Sequence, residues 1–224
     1  MNKLITSTDF NGNVAESYKT LRTNLMFRNF DKELKLINIV STTPSEGKSS
    51  TIANLANVYA QLGKRVLLVH IVRIKTSLHR KLGIRNTVGI NDFLSGVSNL
   101  EDVVKKYDKH FYVITSGTKT IYYNELMQSA NLKNFLEKIK ESFDLVFFDC
   151  PPIGMISDGV ILSSLCDCTL LVVEHNAIDK RAVLRAYEQL KVANANVIGT
   201  IMTKVDISKG SYGYKNYGYQ YGYE

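Results

Sequence analysis

Residues 36–50 read LINIVSTTPSEGKSS. Leu36-Ile37-Asn38-Ile39-Val40 is a short, almost continuous apolar run, the pattern of a strand buried on both faces. It leads straight into Ser41-Thr42-Thr43-Pro44-Ser45-Glu46-Gly47-Lys48-Ser49-Ser50, and from Thr51 to Leu62 a helical pattern follows that stops at Gly63. Backbone N–H groups from Glu46 to Ser50 can converge at that helix N-terminus, where the dipole favours an anion. Apart from Ser41, which stands where the first glycine is usual, the spacing is that of a phosphate-binding loop. Ser45, Glu46, Gly47, Lys48, Ser49 and Ser50 are therefore the candidate nucleotide-binding residues. Lys48 would place a point charge on the β- and γ-phosphates, and the Ser49 hydroxyl is the expected Mg²⁺ ligand.

Working outward, a helical pattern covers Glu16–Phe27, with Tyr18, Leu21, Leu25 and Met26 at helical spacing. Apolar runs at Val66–Val69, Phe111–Thr115, Leu145–Phe148, Thr169–Glu174 and Val197–Met202 read as strands, and Leu132–Phe143, Asp158–Leu165 and Lys180–Ala193 as helices. Alternation of this kind predicts an α/β fold: a parallel sheet flanked by helices, with ligands at the C-terminal ends of its strands. The strand Leu145–Phe148 ends in Asp149. A carboxylate closing a buried apolar strand is costly unless paired or beside a metal, so Asp149 is a second candidate Mg²⁺ ligand.

At 224 residues with 45% hydrophobic residues, the chain is one domain of ordinary size, with or without an appendage. No apolar run is long enough to span a bilayer, and residues 1–17 lack the pattern of a signal peptide, so a cytoplasmic protein is expected. Three cysteines and scattered histidines argue against a disulfide framework or zinc. A formal charge of +7 is spread along the chain and reads as a solvated basic surface, with no nucleic-acid partner. The last fifteen residues, GSYGYKNYGYQYGYE, hold six tyrosines among glycines and no leucine, isoleucine or valine. Such a segment cannot bury enough apolar area to offset its ordering entropy, and a disordered tail is expected over 208–224.

Together these stretches resemble the bacterial tyrosine kinases of capsule and exopolysaccharide synthesis, over nearly the whole chain. Pro44–Lys48 resembles that family's nucleotide loop, Phe148-Asp149-Cys150-Pro151-Pro152 its second motif, and Ser157-Asp158, Val172–Glu174 and Asp179–Val183 lie at the family's distances. Glu16, Lys19 and Arg22 fall at the spacing of its oligomerisation helix (13–29), with lysine in place of one arginine. The resemblance implies a P-loop kinase domain over 1–207 that uses ATP and Mg²⁺ to phosphorylate tyrosine. The phosphoacceptors would be Tyr212, Tyr214, Tyr217, Tyr219, Tyr221 and Tyr223, besides tyrosines of other proteins. It further implies a ring-like homo-oligomer, and a membrane-embedded chain-length regulator that recruits the kinase to the inner face of the membrane. Lys48 and Asp149 would be catalytic, and Thr203 would sit where the family holds the nucleotide base.

The departures fall on the second strand. The family places two aspartates there, and here the stretch is Val69-His70-Ile71-Val72-Arg73-Ile74-Lys75. His70 and Val72 stand at the aspartate positions, and Lys75 remains. Neutral His70 can accept a phenol proton, which puts His70 and Lys75 among the candidate catalytic residues, or it can simply finish a buried strand in a weakened enzyme. Two alternatives remain open: a nucleotide-binding pseudokinase scaffold of the same pathway, and a partition-type ATPase. A GTPase reading of Thr203-Lys204-Val205-Asp206 lacks the asparagine it needs.

Overall fold

The computed structural model describes residues 4–28, 33–71 and 78–206. In chain order the elements are α1 (Ile5–Thr8), α2 (Asn13–Arg28), β1 (Leu36–Ser41), α3 (Lys48–Ala60), β2 (Val66–His70), α4 (Leu78–Lys81), α5 (Ile90–Leu94), α6 (Leu100–Val103), β3 (Val104–Lys106) and β4 (Phe111–Ile114). They continue with α7 (Tyr123–Met127), α8 (Ala130–Ser142), β5 (Leu145–Asp149), α9 (Asp158–Leu165), β6 (Cys168–Glu174), α10 (Lys180–Val192) and β7 (Val197–Thr203).

The strands form one sheet in the order β3-β4-β2-β5-β1-β6-β7. Every pairing is parallel except β3 on β4. The expected parallel sheet is present, and the short antiparallel edge is an addition. Only three residues long and carrying Lys105 and Lys106, β3 has too little apolar content to signal a strand. From β1 the chain first builds outward on one side, through β2, and later on the other, through β6. That reversal makes the C-terminal end of β1 the topological switch point, where a ligand crevice opens.

Both faces of the central strands are apolar, which is why these strands read as continuous runs. Ile37, Ile39, Val66, Leu68 and Phe147 face one layer with Ile52 and Leu55 of α3, and Leu25 of α2 packs behind them. Leu67, Val69, Val146 and Phe148 face the other layer with Phe135 and Ile139 of α8 and Leu162 of α9. On α2 the helical pattern holds for Tyr18, Leu21 and Leu25, whereas Met26 turns outward and is 48% exposed. The polar exception inside β1 is Asn38. Its amide donates to the Gly159 carbonyl at 2.9 Å and to Ser163 Oγ at 2.8 Å, which fixes α9 on the sheet. Helix α3 begins at Lys48, three residues before the sequence pattern suggested, because the loop itself winds directly into the first turn.

At the opposite edge, Asp167 locks the strand starts together. One carboxylate oxygen accepts the Lys35 and Leu36 N–H groups at 2.9 and 2.8 Å, and the other accepts Lys140 Nζ at 2.8 Å. Burial by itself raises its pKa, but the Leu36 N–H, Lys140 and Lys35 bonds outweigh it and hold the pKa below the usual value. A depressed carboxylate pKa stabilises the fold above the unfolded pKa and loses that contribution as pH falls through the folded one. Asp167→Asn should therefore lower the urea midpoint at neutral pH, and the gap from wild type should close as pH drops below about 4. A gap of constant size across that range would remove the carboxylate charge as its cause.

Candidate active site

The loop between β1 and α3 turns through two left-handed residues, Ser45 (φ 68°) and Gly47 (φ 86°). Glycine suits the second position because it has no Cβ to clash, whereas Ser45 holds an uncommon conformation that the surroundings must enforce. They do so from the ends of β6 and β7. Lys204 Nζ donates to the Ser45 carbonyl at 3.0 Å and to Glu174 Oε2 at 2.7 Å. Thr203 Oγ1 donates to the Glu46 carbonyl at 2.7 Å. The Glu46 side chain, 1% exposed, folds back under the loop. Its carboxylate accepts Thr43 N–H, Thr43 Oγ1 at 3.0 Å and Glu174 N–H at 3.3 Å. The phosphate loop is thus braced by two neighbouring strand ends.

Beside it stands Asp149, fully buried at the end of β5. Lys48 and Ser49 reach the same oxygen, Oδ1: Lys48 Nζ forms a salt bridge with it, and Ser49 Oγ donates at 3.1 Å. His70, the register partner of Asp149 across β2 and β5, places Nδ1 2.9 Å from Oδ2. An ionised carboxylate only accepts, so His70 Nδ1 carries the proton and donates. Burial pushes the Asp149 pKa up; the Lys48 charge and the His70 and Lys48 hydrogen bonds outweigh that and hold it well below the carboxylate range. Asp149 is accordingly an anion at any physiological pH.

Four candidates from the sequence, Lys48, Ser49, His70 and Asp149, therefore meet around one carboxylate. Ser45, Glu46, Gly47 and Ser50 form the adjoining loop and first helical turn, with the Ser50 carbonyl accepting Asn54 Nδ2 at 2.9 Å. Thr203 sits against the loop, with its hydroxyl spent on Glu46. Glu16, Lys19 and Arg22 lie apart from this centre, on α2. Glu16 and Lys19 pair at 3.3 Å, and Lys19 also lies 3.9 Å from the centroid of the Phe10 ring. Arg22 turns inward, its Nη1 donating to the Val58 carbonyl at 3.0 Å. Val72, Lys75 and the six tail tyrosines lie outside the described residues. Sequence reasoning gave no bracing role to Glu174 and Lys204. The available signal was a charged residue immediately after each of two apolar strands, on the edge where ligands gather.

The AAA domain family model matches residues 34–205, and the chain is 37% identical over 202 residues to the tyrosine-protein kinase YwqD of Bacillus subtilis, covering 89% of this chain and 85% of that protein. The chain belongs to the bacterial tyrosine-protein kinases. A second relative, the tyrosine-protein kinase CpsD of Streptococcus pneumoniae, is 32% identical over 216 residues, covering 94% of each chain. Among solved structures, the kinase domain of the Escherichia coli tyrosine kinase ETK superposes with a TM-score of 0.85 at 26% identity, covering 95% of this kinase and 85% of that chain. The septum site-determining protein MinD of Pyrococcus horikoshii, complexed with Mg-ADP, shares the fold with a TM-score of 0.64 at 22% identity, covering 75% of the kinase and 69% of that chain.

The ion pair at the centre of this kinase has a consequence for stability. Removing one partner of a buried pair strands the other charge at a cost of about 3–5 kcal/mol. Lys48→Met should lower the unfolding free energy by that order in the absence of ligand, and Lys48→Met with Asp149→Asn should recover most of it. Urea denaturation of the two variants checks this. A single variant as stable as wild type would show that the pair does not form in solution.

Proposed function

We propose that this kinase transfers the terminal phosphoryl group of ATP to tyrosine side chains, its own tail tyrosines foremost, and so regulates the synthesis and export of an extracellular polysaccharide. The observation that carries the reading is the convergence of Lys48 and Ser49 on buried Asp149 beside a braced phosphate loop. The donor set suits the nucleotide and its ion. Ser49 and Asp149 offer hard oxygens of the kind Mg²⁺ prefers, and Gly47 and Ser45 curve the loop backbone around a helix N-terminus, where phosphate binds. Mg²⁺ held there neutralises charge on the phosphate oxygens, and Lys48 contributes the matching protein cation. In this reading His70, whose hydrogen bond to Asp149 orients its ring, takes the phenol proton.

The acceptors in this reading are Tyr212, Tyr214, Tyr217, Tyr219, Tyr221 and Tyr223, in a tail over 208–224 that follows the kinase domain. Self-association through α2, where Glu16 is exposed and Lys19 half-buried, would bring a neighbour's tail to the site. Among the described residues no helix is long and apolar enough to cross a membrane. A membrane-embedded chain-length regulator then supplies the membrane address, and the kinase works at the cytoplasmic face. One observation favours a second reading, a nucleotide-binding scaffold without transfer. The second strand contributes imidazole at His70 where its family has a carboxylate, and Asp149 is shared among three donors.

The two readings separate on one assay. Purified full-length chain incubated with ATP and Mg²⁺ should acquire slow phosphate on the tail tyrosines, mapped by mass. His70→Asp with Val72→Asp should accelerate that labelling by about 10²-fold, the range a positioned proton acceptor contributes. An unlabelled wild type, even with the regulator's cytosolic segment present, would decide for the scaffold. A folded double variant labelling no faster than wild type would clear the missing carboxylates of limiting the rate.

A further inference from the structure

The segment after β4 carries a feature that the phosphate site does not use. β4 runs parallel to β2, so residues 115–122 leave the sheet on the same edge as His70, Asp149 and the phosphate loop. The base of this loop is pinned. Ile90 N–H donates to the Thr115 carbonyl at 2.8 Å and Asn91 N–H to the Ser116 carbonyl at 3.1 Å. Gly117 N–H donates to Asn86 Oδ1 at 2.8 Å, Thr118 N–H to Asp92 Oδ2 at 3.0 Å, and Asn91 Nδ2 to the Thr118 carbonyl at 2.9 Å. Lys105 adds a further tie, donating to Thr115 Oγ1 at 2.9 Å and to the Val88 carbonyl at 2.7 Å. Beyond Thr118 the chain projects. Ile121 is 88% exposed and Tyr122 63% exposed, on irregular backbone just before α7.

Among the described tyrosines this placement is distinctive. Tyr59 and Tyr123 are buried, at 6% and 3% exposed. Tyr18 in α2 and Tyr112 in β4 are half-buried, as is Tyr107 in the β3–β4 connection, where it packs edge-on against Phe111. Tyr187 is 42% exposed but sits mid-helix in α10, where its phenol cannot leave the surface without unwinding the helix. To receive a phosphoryl group, a phenol oxygen must enter a crevice and line up with the transferred phosphorus. A side chain at the exposed end of a loop can do so more readily than one in the middle of a helix. Tyr122 ends this loop as the N-cap of α7, its carbonyl accepting Leu126 N–H at 3.1 Å and its N–H donating to Thr120 Oγ1 at 3.1 Å.

We propose that Tyr122 is a phosphoacceptor outside the tail, modified by a second copy of this chain. The proposal rests on the kinase reading above. In the step, the bond between the γ-phosphorus and the bridging oxygen of ATP breaks, a bond forms between that phosphorus and Tyr122 Oη, the phenol proton passes to a base, and ADP leaves. The donor is a second copy because the pinned base holds the tip at the β4 side of the sheet. Three strand spacings, about 14 Å, separate β4 from β1, where the phosphate loop begins. The product would place close to two negative charges on the lip of the crevice, three residues from the exposed Lys119.

The test uses the full chain with all six tail tyrosines changed to phenylalanine, incubated with ATP and Mg²⁺ and mapped for phosphotyrosine beside wild type. The expected result is phosphate on Tyr122, lost on adding Tyr122→Phe, with an initial rate per chain that rises with protein concentration. The urea midpoint should be the same with and without Tyr122→Phe, so that loss of label reports the acceptor. Tail labelling in wild type with no label on the six-phenylalanine chain overturns the proposal and leaves the kinase reading standing. Label on Tyr187 overturns the exposure argument, and label on Tyr59 or Tyr123 would mean that unfolded chains are the substrate. A rate per chain independent of concentration overturns the second-copy donor. No label on either protein overturns the kinase reading and this proposal with it.

Discussion

A single buried anion organises the working edge of this protein. Asp149 is fully buried, and an isolated carboxylate in that position would either neutralise itself or unfold the strand that carries it. It stays ionised because Lys48 and Ser49 from the first turn of α3 and His70 from the end of β2 surround it. The constraint runs outward from there. Lys48 reaches Asp149 only if α3 starts where it does, α3 starts there only if the loop makes its left-handed turns, and those turns are enforced by Thr203 and Lys204 at the end of β7. Sheet order, loop shape and site charge are therefore one structural problem, solved at the switch point of the sheet.

The bracing of the loop explains why β6 and β7 matter to a site built mainly by β1, β2 and β5. Glu174 accepts Lys204 with its carboxylate and donates its N–H to Glu46, so the β6 end contacts both halves of the clamp. Single bonds of this kind contribute on the order of 1–3 kcal/mol net. Together they define one conformation for a loop whose backbone groups must converge on a ligand, and that preorganisation spares the ligand the ordering entropy.

Much of this was legible in the sequence, for a physical reason. Strands buried on both faces must be apolar at nearly every position, so β1, β2, β5 and β6 announce themselves as runs such as LINIV and LVFF. The loop was legible because left-handed turns and a helix start need particular residue types at fixed spacing. What stayed hidden was decided by tertiary contact. α4 to α7 have four or five residues each, too few to show a helical period. Arg22 has the spacing of a surface stripe, yet the Val58 carbonyl at the end of α3 draws it inward. Thr203, expected from the resemblance beside a nucleotide base, spends its hydroxyl on the Glu46 carbonyl, a partner 157 positions away in sequence.

The substitution at His70 changes the charge logic of the site more than its shape. Two carboxylates beside one lysine would leave a net negative crevice that a divalent ion must neutralise before a polyanionic nucleotide could approach. With His70 at a position where the resemblance implies an aspartate, the carboxylate of Asp149 pairs with the ammonium of Lys48, and the imidazole N–H donates a further hydrogen bond to the anion. The ligand-free site is thereby satisfied by its own residues. In the proposed function, a nucleotide whose phosphates recruit Lys48 would have to draw it away from Asp149, with the phosphate contacts replacing the ion pair. The same exchange would free the carboxylate oxygen that Lys48 and Ser49 share, so that binding the phosphates and exposing Asp149 to a cation would be two sides of one rearrangement of Lys48.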